Sequence, residues 1–145
     1  MDTTAGAALA GAHLYLRYWM TISAFMYFFA GLTFLFGQNF LARRMNNISG
    51  LLFKTRPLMP ESSEKFWLVL TTSMMLMLVI CCAFVAVDPE KYLAITVVVL
   101  ASKLCSTLLY LFFFARDKYF AYLVGALTDG PLFLATLFFF LWAAM

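Results

Sequence analysis

The sequence predicts an all-α integral membrane protein: one domain, 1–145, of four transmembrane helices in an up-down bundle, with a short amphipathic helix lying at the interface in the first loop. Three observations carry this. Hydrophobic residues make up 65% of the 145, charged residues only 12%, and the mean hydropathy is +0.92, against roughly 45–50% apolar and about 25% charged in soluble domains. The apolar residues fall into four runs, each long enough for a hydrocarbon core of about 30 Å. The basic residues gather in alternate connections, as the positive-inside bias requires.

The first span is expected over 13–37, about 37 Å of helix. Residues 1–12 read as a short tail or frayed start, and the run that follows reads as retained: Asp2 is the only charge before Arg17, whereas a cleaved signal needs a basic start. Arg17 and Trp19 are expected as interfacial anchors, with the arginine snorkelling to the headgroups.

Residues 38–65 form the longest polar stretch, carrying Arg43, Arg44, Lys54, Arg56 and Lys65. Leu41, Met45, Ile48 and Leu52 recur at helical spacing with Arg43 and Arg44 largely off that face, the pattern of a surface helix held against anionic lipid. Pro57 and Pro60 close this loop, and Glu61 and Glu64 suit the start of the next helix. The second span is expected over 66–87. Asp88 as N-cap and Pro89 at the first helical position then predict a helix start and a tight hairpin into the third span, 91–114. The turn Arg116-Asp117-Lys118 leads to the fourth, 119–144.

With the first and third connections in the cytoplasm, every loop obeys the charge bias, and both termini fall on the non-cytoplasmic side. The net charge of +3 is too small and scattered for nucleic acid.

The chemistry of the chain concentrates in its last two spans. Lys103 lies about 16 Å of helix before Phe114, and Asp129 about 15 Å after Tyr119. A turn this short makes the two helices neighbours, so the charges are expected to meet near the bilayer centre. Thr96, Lys103, Ser106, Thr107 and Tyr110 form a stripe on one helix; Tyr122, Gly125, Asp129 and Thr136 form its counterpart. Isolated, each ion would cost about 2.5–3.5 kcal/mol at that depth; paired, much of this cost is removed. Gly130 and Pro131 follow directly, and Pro131 removes the helical donor for the Leu127 carbonyl, which predicts a kinked or broken helix beside the carboxylate.

No cofactor and no metal is expected. Cys81, Cys82 and Cys105 lack CxxC or Cys/His spacing, and the single histidine, His13, cannot supply a bis-histidine haem. No catalytic set is legible either: there is no Ser/His/Asp set, no glycine-rich phosphate loop and no second membrane carboxylate. The expectation is therefore a non-catalytic accessory or structural subunit, with Lys103 and Asp129 fixing the bundle and the 17 phenylalanines packing against a larger partner or a second copy. The alternative is an oligomeric small transporter or channel, with Asp129 as the proton- or cation-responsive group.

Overall fold

The computed structural model describes residues 3–52, 58–61 and 65–145, with side chains from residue 9 onward. The expectations for Lys54, Arg56, Pro57 and Glu64 lie outside the described residues. The chain is all-helical there: α1 runs Thr3–Leu52, α2 Lys65–Val87, α3 Thr96–Asp117 and α4 Phe120–Ala144, with a single 3-10 turn, Leu93–Ile95, leading into α3. All four helices are long and apolar enough to cross a membrane. Their outer surfaces carry exposed phenylalanine, leucine and isoleucine side chains, among them Phe25, Phe29, Phe112, Leu127 and Phe138, which water would not tolerate in this number.

Three boundaries differ from expectation. First, α1 begins at Thr3, because the Thr-Ala-Gly-Leu composition of the predicted tail does not oppose helix, and Ala12, 1% exposed, packs into the core. Second, residues 38–52 follow without an intervening loop, but non-helical backbone at Gly37 (φ −127°, ψ 19°) kinks α1 into two helices, at the position where the first span was expected to end. Third, Asp88 does accept a bond from the Lys91 N–H at 3.1 Å, but the α-helix it should start is delayed to Thr96. Tyr92 leaves the helical region (φ −106°, ψ 15°), and its ring packs at a tilt against Phe84, with centroids 5.3 Å apart.

Packing is uneven along the bundle. At one end, Leu16 and Met20 of α1, Cys82 and Val85 of α2 and Val99 of α3 are fully buried in a common cluster with Ala143 of α4. His13 and Trp19 sew α1 to α4 there, reaching the Ala143 carbonyl at 3.1 Å and the Thr136 hydroxyl at 2.9 Å. Toward the other end the helices part around a cavity of about 560 Å³, lined by later residues of α1, earlier residues of α2 and α4, and Lys103 and Tyr110 of α3.

Candidate functional site: a buried ion pair at the floor of a cavity

The stripes predicted on α3 and α4 meet from Lys103 to Tyr110 and from Tyr122 to Asp129, while Thr136, farther along α4, turns to Trp19 of α1. Lys103 Nζ donates to Asp129 Oδ1 at 2.9 Å, and the Ser106 hydroxyl donates to Asp129 Oδ2. Both carboxylate oxygens are thus engaged, one by a cation and one by a neutral donor. The side chains are nearly enclosed, Lys103 at 5% and Asp129 at 14% exposed. The carboxylate is the more open of the two.

Small residues permit this approach. A Cβ on Gly125 would lie 2.8 Å from the Tyr110 ring, so α4 can sit this close to α3 only with glycine there. Thr107 turns its hydroxyl back to the Lys103 carbonyl at 2.7 Å, which leaves its methyl against Gly130. A Cβ on Gly130 would stand 3.6 Å from that methyl. Thr107 and Gly130 therefore belong to the helix contact, while Lys103, Asp129 and Ser106 form the polar centre.

Pro131 corrects an expectation. The helix is not broken there: α4 continues from Phe120 to Ala144 with Pro131 inside it. Pro131 lies on an exposed part of α4, so its ring is accommodated on the outer surface of the bundle. The missing N–H costs one intrahelical bond without ending the helix.

Sequence reasoning missed the third wall of the site. Tyr27 of α1, 3% exposed, lies beneath Lys103, whose Nζ stands 4.6 Å from the ring centroid, a cation–π contact in a desolvated setting. The Tyr27 hydroxyl is buried and has no hydrogen-bond partner among the described residues. The legible signal was the spacing Leu16, Met20, Ser23, Tyr27, one face of a helix, all four now buried. Nothing in the sequence showed which partner that face would meet.

The cavity runs from this centre along the helices. Lys103, Asp129 and Tyr27 form its floor; Tyr110, Tyr122 and Thr128 stand nearby; Met26, Phe34, Met45 and Met75 provide apolar wall. Gln38, Asn39, Met59 and Pro60 line its far part. Residues 58–61 are held there by α1: the Asn46 side chain donates to the Met59 carbonyl at 2.8 Å and accepts from the Met59 N–H at 2.9 Å, and Arg43 pairs with Glu61 at 2.7 Å.

The other predicted anchors take distinct positions. Arg17 donates through Nε to the Ala86 carbonyl at 2.8 Å and through a terminal nitrogen to the Val87 carbonyl, satisfying carbonyls that the end of α2 leaves unpaired. Trp19 turns inward to Thr136 and packs on Phe139, with centroids 5.6 Å apart. Arg44 lies over the Phe40 ring at 5.1 Å, and both Arg43 and Arg44 are exposed.

Chemically, the site offers one carboxylate, one ammonium and hydroxyls at the end of an apolar chamber. Among the described residues, no group of three His, Cys, Asp or Glu side chains comes together, and the three cysteines are free. Such a centre can form hydrogen bonds with a polar group. No protein-family model matches the chain, and no curated protein or solved structure matches it.

Proposed function

We propose that the protein is a small membrane transporter whose cavity receives the solute and whose Lys103–Asp129 pair responds to it. The cavity carries this reading. A pair that served only to fix helix register would need no chamber of about 560 Å³ against it, and pockets of roughly 300–1,000 Å³ are the size that holds small ligands. The fully buried cluster at the opposite end favours a carrier over a channel, because a channel needs a continuous path. Asp129, the more open partner, is the proton- or cation-responsive group, and Lys103 is its counter-ion.

The same reading includes an up-down arrangement. Core and cavity residues run in opposite numerical order on successive helices: core before cavity on α1 and α3, cavity before core on α2 and α4. Together with the positions of the basic residues, this supports both termini on the non-cytoplasmic side and a cytoplasmic cavity mouth, with the 38–52 continuation of α1 at the interface and its arginines toward anionic lipid.

The test uses proteoliposomes loaded with a pH-sensitive dye. Wild type is expected to dissipate an imposed pH gradient faster than protein-free vesicles. The neutral pair Lys103→Met with Asp129→Asn should reconstitute equally well and be silent. Equal dissipation by both proteins would sink the transport reading.

The accessory-subunit reading retains one specific observation, the apolar side chains exposed around the bundle. A second copy or a larger membrane protein would cover them. A stoichiometric larger protein that co-purifies in mild detergent, with no flux by the isolated chain, would establish it instead.

A further inference from the structure

The floor of the cavity has hydrogen-bonding capacity to spare but no charge to spare. Lys103 and Asp129 neutralise each other at 2.9 Å, and Ser106 occupies the second carboxylate oxygen. A ligand with a charged head would have to displace a partner tethered to the bundle, leaving that partner buried and alone, the costliest outcome for such a pair. A neutral head faces no such obstacle. Each carboxylate oxygen keeps a lone pair beyond its present bond, and Asp129, 14% exposed, lines the cavity.

The walls set the rest of the ligand. Met26, Met45, Met59 and Met75 line the chamber with Phe34 and Leu132. Methionine is unbranched and polarisable, and it adapts to apolar bodies of varied shape. A small hydrated ion would leave these walls facing empty apolar space.

Resting on the transport reading for entry into the cavity, we infer that its ligand is an uncharged amphiphile: a drug-sized apolar body bearing a hydroxyl that donates to Asp129. The ion pair stays intact when it binds.

A matched series tests this in detergent, with no need for flux: 1-decanol, decanoate at pH 8 and decyltrimethylammonium, scored by native mass spectrometry as mass added per chain. Ala121→Trp, which places a bulky side chain into the cavity, corrects for non-specific uptake; Ala30→Leu serves if that variant does not fold. Decanol is expected to bind wild type at least tenfold more tightly than either charged analogue and to lose its site in the filled variant. 1-Methoxydecane, which cannot donate to the carboxylate, should bind about fivefold more weakly than decanol, the loss of one neutral hydrogen bond. Equal or tighter binding by a charged analogue would overturn the inference, as would decanol binding that neither loss of its donor nor cavity filling changes. Selective binding without flux would sink only the transport reading. Flux without head-group preference would sink only the assignment of the ligand.

Discussion

Removing one partner of the Lys103–Asp129 pair should destabilise the protein, and removing both should cost less than the two single losses together. Breaking a buried pair from one side costs about 3–5 kcal/mol, because the remaining charge is left without its counter-ion. Surviving contacts lower this: Ser106 still donates to Asp129, and the Tyr27 ring still lies against Lys103. Each of Lys103→Met and Asp129→Asn should therefore cost roughly 2–4 kcal/mol, and the double variant should recover about 2 kcal/mol. Thermal unfolding of the three variants in lipid nanodiscs reads all of these losses. Additive single variants would refute the account of a closely coupled pair in a dry site.

Three further outcomes follow from the packing. Gly125→Val should cost about 2 kcal/mol, because its Cβ would collide with the Tyr110 ring and overpacking costs about 1–3 kcal/mol; adding Tyr110→Ala should restore part of the loss on the same thermal assay. Asn46→Ala removes both bonds to the Met59 backbone, worth together about 1–2 kcal/mol, and should speed limited proteolysis at residues 58–61 without changing cleavage elsewhere. Arg17→Gln should lower stability by about 1 kcal/mol, since the two carbonyls at the end of α2 lose a charged donor but the site is exposed and water partly replaces it. An Arg17→Gln protein as stable as wild type would show that solvent or lipid satisfies those carbonyls equally well.

The helices and the α3–α4 contact were legible because both rest on local rules. Apolar length defined the spans, and the short 116–118 turn made α3 and α4 neighbours, so counting along two helices from a shared origin was enough to align Lys103 with Asp129. Ser106 followed from its place one turn away on the same face. What could not be read was set by helices distant in sequence. Tyr27 reaches Lys103 from α1, 76 positions earlier, and its rotation depends on how Leu16 and Met20 seat against α2. The cavity is an absence of side chains between four helices, and no single segment encodes an absence. Gly37 marks the kink that divides α1, whereas Pro131 lies inside a continuous α4, where tertiary packing outweighs its low helical propensity.

Under the proposed transport reading, the boundary between the packed and hollow ends sets the side from which a ligand reaches the ion pair. On the packed side, Leu16, Met20, Cys82, Val85 and Val99 leave no room, and close-packed interiors do not deform gradually. On the cavity side, Asp129 has partial exposure and adaptable methionine side chains beyond it. A hydroxyl bound at the floor would therefore meet Asp129 where α4 fits closely on α3, Gly125 against Tyr110 and Gly130 against Thr107, and that fit keeps the carboxylate on Lys103. On this view the Asp129-Gly130-Pro131 stretch matters through its carboxylate and the small glycine beside it, and the proline is a tolerated neighbour on the outer face. Pro131→Ala should then strengthen α4 by up to about 3 kcal/mol while leaving decanol affinity and pH-gradient dissipation as they are. Loss of either in Pro131→Ala would mean that the Leu127 carbonyl, freed of its helical donor, is part of the site after all.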